Sequence, residues 1–432
     1  MTATQWESIG RGVLGMLFLL MVCFIFSNNR RAINWKLVLI GIIAQVSFAL
    51  GILRVNFIKI FFTWLSRIFV EVISIGHRGA EFMFNKLADP LGTWGYIFAV
   101  QVLPIIIFFS ALSAMLYYLG ILQKVVYFFA WMLKKLGISG PESVSTAANI
   151  FLGQTEAPLM IRPFLDRMNR SEILCIMVGG MANTAGSVLA AYVGFLGGDD
   201  VTQRQYFALH MLSQSIMSAP AAIVVSKMLF PQTEPVMREL KVPKEKIGAN
   251  FLDAVSLGTT DGLKLAANVA AMLIVFTSIM YLCNWILGSA GHWFSINDNI
   301  AAMTNGRYDS LSLQLILGYI FSPVAWLIGI NSNEMIPVGQ LLGEKTILNE
   351  FVAFFSFGQM KQSGIISDPK SILITTYALC GFANFASIGI QIGGISQLAP
   401  NQRKNLTELG LKALLGGTIA CLMCGCIAGA VG

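Results

Sequence analysis

Two acid–amide pairs stand inside otherwise apolar stretches of this sequence. Gln154 and Glu156 form the first pair, and Asn349 and Glu350 form the second. Within a bilayer a charged carboxylate costs about 2.5–3.5 kcal/mol to insert, so such a residue is functional by default. A dry pocket with carboxylate and amide groups selects a polar, uncharged ligand, because it rejects analogues that lack the matching hydroxyl or amide groups. Few Arg or Lys residues are near the pairs, which argues against an anionic ligand.

A short motif recurs downstream of each pair. Gly180-Met-Ala-Asn183 and Gly381-Phe-Ala-Asn384 both have the pattern Gly-x-Ala-Asn-x-Ala within an apolar run. Helix packing explains the small residues but not both Asn residues. Broken helices that meet near the midplane hold substrate and ion in many membrane transporters. The motif therefore predicts two discontinuous spans that bring the acid–amide pairs together.

The composition explains why these stretches are so apolar. The chain has 432 residues, of which 56% are hydrophobic and 12% are charged, and its mean hydropathy is +0.70. Soluble domains are about 45–50% apolar and about 25% charged. Runs such as 13–26, 37–53 and 266–282 approach the length of about 20 residues that crosses the hydrocarbon core as a helix. The chain is therefore predicted to be a polytopic membrane protein.

Basic residues set the predicted topology, since loops rich in Lys and Arg stay in the cytoplasm. Basic clusters around residues 30–36, 124–135, 238–246 and 403–412 alternate with loops that carry few positive charges. This alternation fits eight spans with both termini outside. The segment 56–84 is apolar but interrupted by charged residues, which is typical of helices that lie along the membrane surface.

Two further apolar segments do not fit simple spans. Residues 143–164 and 322–351 are broken by Pro, Gly, Asn, Gln and Glu. Irregular backbone at membrane depth is tolerated only where protein or a water-filled cavity satisfies its polar groups. We interpret both segments as re-entrant helical hairpins, the first entering from the cytoplasm and the second from outside. The alternative, two kinked spans, would leave Lys and Arg on the wrong sides.

The predicted fold is all-α: a polytopic membrane protein with about eight transmembrane helices, two re-entrant helical hairpins in inverted repeats, and amphipathic interfacial helices. Residues 1–120 are predicted to form a scaffold part with three spans and interfacial helices. Residues 121–230 form a first transport repeat with an interfacial helix, a hairpin and two spans. Residues 231–310 hold a scaffold span and interfacial segments, and residues 311–432 form a second transport repeat with a hairpin and two spans.

The remaining Cys, His and acidic residues give weaker evidence of a metal or ligand site. Cys421, Cys424 and Cys426 have small and apolar neighbours, which favours helix packing over a metal site. The three His residues are scattered and lack metal-ligand spacing. The net charge of +7 is explained by topology and does not require nucleic acid as a partner. Glu334 is a third acidic candidate for the pocket, with an outer vestibule as its alternative location.

Four blocks of sequence carry a resemblance to a known family. They are Gly153-Gln-Thr-Glu-Ala-Pro-Leu159, Ala185-Gly-Ser-Val188, Asn349-Glu-Phe351 and Cys380-Gly-Phe-Ala-Asn-Phe-Ala-Ser-Ile-Gly-Ile390. Together they resemble the concentrative nucleoside transporter family. The resemblance implies a homotrimer with a scaffold domain and a mobile transport domain. It also implies import of nucleosides, driven by Na+ or, in some bacterial members, by protons.

The resemblance further implies roles for individual residues. Those implied in nucleobase binding are Gln154, Thr155, Glu156, Val188 and Phe382. Those implied in holding the ribose hydroxyls are Glu350, Asn384 and Ser387. Those implied in binding Na+, between the first hairpin and the broken fourth span, are Asn149, the carbonyl of Leu152, Asn183 and the carbonyl of Thr184.

Asn183 departs from the family pattern, in which a hydroxyl residue followed by Ile stands at this ion position. An amide oxygen can still bind Na+, and the presence of Asn149 favours Na+ as the coupling ion. The alternative is H+ coupling. Burial disfavours the charged form of a carboxyl group, so Glu156 or Glu350 would then carry the proton.

The predicted function is Na+-coupled import of nucleosides of the uridine, cytidine and adenosine class across the cytoplasmic (inner) membrane, by an elevator-like alternating-access motion. Purine or pyrimidine preference stays open, and no organic cofactor is expected. An enzyme would need a metal or a nucleophile–base pair, and a passive channel would need a continuous polar lining. The polar residues cluster at the hairpin tips instead, so neither alternative is favoured.

Overall fold

The computed structural model describes residues 3–88, 97–198, 200–237, 239, 248–304, 306 and 308–432, and these contain helices and loops but no β-strand. The helices in chain order are α1 (Ala3–Ile25), α2 (Trp35–Arg54), α3 (Asn56–Phe84), α4 (Phe98–Gln101), α5 (Leu103–Tyr118), α6 (Ile121–Lys134), α7 (Gly140–Ala148), α8 (Arg162–Leu165), α9 (Arg170–Ala182), α10 (Gly186–Gly197), α11 (Val201–Leu229), α12 (Phe251–Trp293), α13 (Asn297–Met303), α14 (Leu313–Leu327), α15 (Met335–Ile347), α16 (Glu350–Gln362), α17 (Pro369–Leu379), α18 (Phe385–Leu398) and α19 (Arg403–Val431). Short 3₁₀ turns lie at Arg30–Ala32, Asn85–Leu87, Ala157–Ile161 and Pro400–Gln402.

Seven stretches of the described chain are long and apolar enough to cross a membrane. They are formed by α1, α2, α4 with α5, α9 with α10, α11, α12, and α19 with the turn before it. The remaining predicted span, which precedes the last one in the chain, is divided into α17 and α18. Neither of these two helices is long enough to cross a membrane by itself. The prediction of an all-α polytopic fold with about eight spans is confirmed.

Helix α3 is a single helix with one buried stripe. Its buried residues include Val70, Ile73 and Ala80, which recur at the spacing of one helix face. On the other face Phe57 and Phe82 are almost fully exposed. An amphipathic helix with exposed aromatic residues fits the surface position predicted for this segment.

The two repeats have the same order of elements. In the first, α6 precedes a hairpin (α7 and α8), a broken span (α9 and α10) and α11; in the second, α14 precedes a hairpin (α15 and α16), a broken span (α17 and α18) and α19. The last helix of each repeat has 29 residues. In both repeats the first hairpin helix packs against the helix before it and against the first half of its own broken span.

The first hairpin lies close to its predicted position, whereas the predicted boundaries of the second were wrong. Residues 313–327 form the separate helix α14, which continues through Pro323 and ends before Gly329. Gly329 has a φ of +109°, a conformation that glycine adopts readily after a helix end. The second hairpin is Met335–Gln362, so Asn349 and Glu350 lie at its tip and not at its end.

Helices α5 and α12 form a tightly packed pair. A Cβ added to Gly262 would lie 2.8 Å from the Cα of Ile107, and one added to Gly258 would lie 2.9 Å from the Cα of Ala111. Small residues four apart let two helix backbones approach closely in this way. Much of the 43-residue α12 is otherwise exposed. Helices α1 and α2 pack instead against α11 and α19.

The two broken spans cross at their breaks. The Phe382 N–H donates to the carbonyl oxygen of Asn183 at 3.3 Å. Gly381 has a φ of +155°, and a Cβ at this residue would lie 2.9 Å from the carbonyl oxygen of Ala182 and 3.0 Å from that of Met181. The crossing therefore requires glycine, for both its conformation and its lack of a side chain.

We expect Gly381→Ala to destabilise the protein by about 2–4 kcal/mol, because overpacking and backbone strain each cost about 1–3 kcal/mol. Thermal unfolding of the purified protein in detergent measures the change. Gly389→Ala in α18 is the matched control, since a Cβ there would have no neighbour within 4 Å. Equal melting temperatures for the two variants would contradict this account of the crossing.

Candidate functional site

The tip of the first hairpin, residues 149–156, carries three of the predicted nucleobase contacts. Glu156 turns back so that its carboxylate accepts a hydrogen bond from the Gly153 N–H at 2.9 Å. Gln154 is buried and donates from Nε2 to Ser387 Oγ at 3.1 Å. Its Oε1 has no hydrogen-bond partner in the described part of the chain. Thr155 is half-buried and Glu156 is exposed, so the tip borders an open space and offers free acceptors to a ligand.

At the tip of the second hairpin, Glu350 is buried and accepts two side-chain hydrogen bonds. The Tyr192 hydroxyl donates to one carboxylate oxygen at 3.2 Å, and Asn384 Nδ2 donates to the other at 2.5 Å. Asn349, expected to offer its amide to a ligand, caps α16 by accepting the Val352 N–H at 2.9 Å. The acid–amide pair at this tip thus comprises Glu350 and Asn384, not Glu350 and Asn349.

The two Asn residues of the recurring motif lie on opposite sides of their breaks. Asn183 follows the last residue of α9, whereas Asn384 is the N-cap of α18 and accepts the Ser387 N–H at 2.8 Å. The shared Gly-x-Ala-Asn pattern therefore does not place the two Asn residues at the same point of their breaks. The reason is local: an extended conformation begins at Asn183 in one span and already at Cys380 in the other.

The structure brings Gln154 and the three predicted ribose residues into one continuous hydrogen-bonded cluster. Ser387 contacts Gln154 from the first hairpin, and Asn384, one turn away on α18, contacts Glu350 from the second. Val188 and Phe382 are buried apolar side chains on α10 and in the second break. Two hairpin tips and both broken spans therefore contribute to the cluster.

Helix α11 contributes residues that the sequence reasoning missed. Gln214 Nε2 donates to the carbonyl oxygens of Ala182 (3.1 Å) and Cys380 (2.6 Å), one from each break. One turn further, the Ser218 hydroxyl donates to Asn183 Oδ1 at 2.6 Å. Gln214 and Ser218 are polar residues four positions apart in an apolar span, and this spacing could have identified them from the sequence. Tyr192, which contacts Glu350, had no such sequence signal.

Two of the predicted cation residues, Asn149 and Asn183, carry buried polar atoms without hydrogen-bond partners among the described residues, and so do Ser145 and Thr146 beside Asn149. Both amide atoms of Asn149, the hydroxyl oxygens of Ser145 and Thr146, and Nδ2 of Asn183 have no hydrogen bond among the described residues. Asn149 and Thr146 face Gly179 of α9, since a Cβ there would lie 3.4 Å and 3.7 Å from their polar atoms. Because unpaired buried oxygens are costly, this set suits a cation.

For the other two predicted cation residues, Leu152 and Thr184, the predicted ligand is the backbone carbonyl. Leu152 and Thr184 are both buried, on the hairpin tip and in the first break. The Thr184 hydroxyl lies 3.4 Å from Cys380 Sγ, so its side chain already has a partner in the second break. Helices α7 and α9 both end at this region, and helix C-termini favour positive charge.

Glu334 has a structural role. It is buried, and one carboxylate oxygen accepts the N–H groups of Ser367 (2.8 Å) and Asp368 (3.0 Å). These bonds fasten the start of the second hairpin to the start of α17. Glu334 therefore belongs neither to the ligand cluster nor to an outer vestibule.

A cavity of about 490 Å³ lies outside the cluster of predicted ligand residues. It separates α3 and α5 from α10 and α16, and its lining includes Ile73, Ile105, Phe195 and Phe355. The hairpin repeats and the α3–α5 side are thus incompletely packed against each other at this place.

Comparisons with known proteins agree over nearly the whole chain. Family models described as the Na+-dependent nucleoside transporter N-terminus, nucleoside recognition, and the Na+-dependent nucleoside transporter C-terminus match residues 14–87, 99–199 and 210–429. An uncharacterized transporter of Haemophilus influenzae is 43% identical, with 98% of this chain and 97% of that one covered. Sodium/nucleoside cotransporter 1 of Rattus norvegicus is 37% identical, with 96% of this chain and 62% of that longer one covered.

The solved structure of CNTnw in an inward-facing substrate-bound state superposes with a TM-score of 0.88, at 36% identity and 98% coverage of both chains. The predictions of a transporter rather than an enzyme, and of nucleosides as the class of substrate, are confirmed. The family descriptions also agree with Na+ as the predicted ion. With its helix breaks, hairpin tips and matched length, this multi-pass membrane chain belongs to the Na+-dependent concentrative nucleoside transporter family.

Proposed function

We propose that this chain is a symporter of the cytoplasmic membrane that imports one nucleoside with one Na+. The observation that carries the proposal is the continuous cluster from Gln154 through Ser387 and Asn384 to Glu350, beside the unpartnered oxygens of Asn149 and its neighbours. A site for a polyhydroxylated ligand and a site for a cation thus share the same hairpin and the same broken span.

The ribose would bind at Glu350. A carboxylate has about four lone-pair sites, and Glu350 uses two of them to accept hydrogen bonds from Tyr192 and Asn384. The remaining lone pairs would accept ribose hydroxyls, with Asn384 and Ser387 completing the contacts. The base would lie toward Val188 and Phe382, where Gln154, Thr155 and Glu156 offer polar groups.

Na+ would bind between Asn149, the carbonyls of Leu152 and Thr184, and Asn183. The Asn183 amide has its Oδ1 on Ser218 and its Nδ2 unpartnered. If the amide group is rotated by 180°, its nitrogen would donate to the Ser218 hydroxyl and its oxygen would face the ion. Both orientations are compatible with Ser218, because a hydroxyl can donate or accept a hydrogen bond. Since the ion would join hairpin and broken span, its binding would complete the nucleoside site.

The geometry at Glu350 argues for Na+ over H+. Both carboxylate oxygens accept hydrogen bonds from side-chain donors, an arrangement that suits the ionised acid. Entry of one cation down 100 mV yields about 2.3 kcal/mol, and a tenfold ion gradient adds about 1.4 kcal/mol. Together these support roughly a few hundredfold accumulation of substrate, so one ion is sufficient.

We further propose an elevator-like motion of the two repeats, 121–230 and 311–432, against a static part built on α5 and α12. The cavity between the α3–α5 side and α10 with α16 marks a boundary across which such sliding would occur. Because α1 and α2 pack against α11 and α19, we assign them to the moving part, a change from the sequence-based division of residues 1–120. The exposed apolar length of α12 would serve a homotrimer interface.

Glu350→Gln is expected to weaken uridine binding about 10–100-fold, since hydrogen bonds to a charged group are each worth about 1.5–3 kcal/mol. Isothermal titration with uridine at saturating Na+ measures the loss. Glu408→Gln is the matched control, because Glu408 is exposed and pairs with Arg170 at 2.7 Å on the surface. Unchanged affinity in a folded Glu350→Gln protein would remove Glu350 from the proposed ribose site.

Uptake of labelled uridine into proteoliposomes is expected to require an inward Na+ gradient. Asn149→Ala should raise the Na+ concentration for half-maximal uptake about tenfold, because one ion ligand is lost. Asn401→Ala is the control, since Asn401 is exposed and donates to the Asp166 carbonyl at 2.9 Å. Equal uptake with K+ in place of Na+, together with stimulation by an inward proton gradient, would favour H+ coupling instead.

A further inference from the structure

Lys345 is a buried cation without a role in the transport cycle described above. Its side chain is only 2% exposed, and its Nζ donates to the carbonyl oxygen of Ala378 at 2.9 Å. Among the ion pairs of the described residues, none includes Lys345. A buried ammonium without a paired carboxylate is costly, so its surroundings must favour positive charge in another way.

Two helices end beside this ammonium group. Lys345 lies in the last turn of α15, and Ala378 lies in the last turn of α17, which packs against α15. The C-terminal end of a helix carries partial negative charge on its open carbonyl groups. The ammonium therefore lies where two negative helix ends meet.

The first repeat has the same arrangement of helix ends but no lysine. Helix α7 ends just before Asn149, α9 ends just before Asn183, and the two helices pack against each other. There the polar groups of Asn149, Ser145 and Thr146 are unpartnered. The elements that surround the Lys345 ammonium in the second repeat are thus the counterparts of those that surround the proposed Na+ in the first.

We propose that Lys345 is a tethered cation that takes the place of an ion in the second repeat. Each repeat brings two helix C-termini together and so creates one place that favours positive charge. In the first repeat this charge would be exchangeable, and in the second it is covalently attached. Two similar repeats would then couple to one Na+ and not to two. The inference rests on the proposed Na+ site of the first repeat.

Two neutral variants separate a tethered cation from a merely structural lysine. Lys345→Ser removes the charge and leaves room for an ion, whereas Lys345→Met removes the charge and fills the space. Uptake of labelled uridine into proteoliposomes is measured over a range of Na+ concentrations. We expect the wild type to show a Hill coefficient of about 1, and the Ser variant to recover at high Na+ with a coefficient approaching about 2. The Met variant should stay at least about tenfold below the wild type throughout.

Two further variants serve as controls. Lys345→Arg keeps the cation and should keep a wild-type Na+ dependence. Lys361→Met removes another lysine of the same hairpin, whose Nζ donates to the Leu196 carbonyl at 3.0 Å. Because Lys361 lies at the opposite end of α16 from Glu350, its loss should leave the Hill coefficient unchanged.

The outcomes distinguish this inference from the coupling proposal. If the Ser and Met variants respond alike to Na+, whether both are active or both fail to fold, Lys345 is not a substitute for an ion. If the wild type itself is indifferent to Na+, the coupling proposal is refuted, and the inference with it. Recovery of the Ser variant alone supports both.

Discussion

The crossing of the two broken spans is the constraint on which the rest of the structure depends. A backbone group inside a bilayer has no water to bind, so a helix is interrupted only where other groups satisfy it. Here the Gln214 amide donates to a carbonyl of each break, and the Phe382 N–H donates to the carbonyl of Asn183. Because the breaks satisfy each other, the interruption of one span depends on the interruption of the other.

The crossing also explains why polar side chains from distant parts of the chain form one site. Each break ends two half-helices inside the protein, and the tips of both hairpins contact the second broken span. Glu350 contacts Asn384, which is 34 residues away in sequence, and Gln154 contacts Ser387, which is 233 residues away. No single element contains all of these groups, so their arrangement depends on the positions of both hairpins.

Much of the architecture could be predicted from the sequence because the decisive signals are local. Hydropathy over 20 residues identifies a span, and a carboxylate or amide inside such a run is costly enough to stand out. The first hairpin, both broken spans, and the cluster of Gln154, Glu350 and Asn384 were recognised on these grounds. The resemblance to a family then suggested roles that composition does not contain.

What the sequence by itself determined was therefore which segments are membrane-embedded and which polar residues are out of place in them. Only the tertiary structure decided which groups those residues meet. Asn349 caps its own helix, Glu334 binds the start of α17, and Tyr192, Gln214 and Ser218 complete the site from helices that read as ordinary spans. The physical reason is that a hydrogen bond depends on distance and direction in space. Packing of the crossed helices sets these, and spacing along the chain does not.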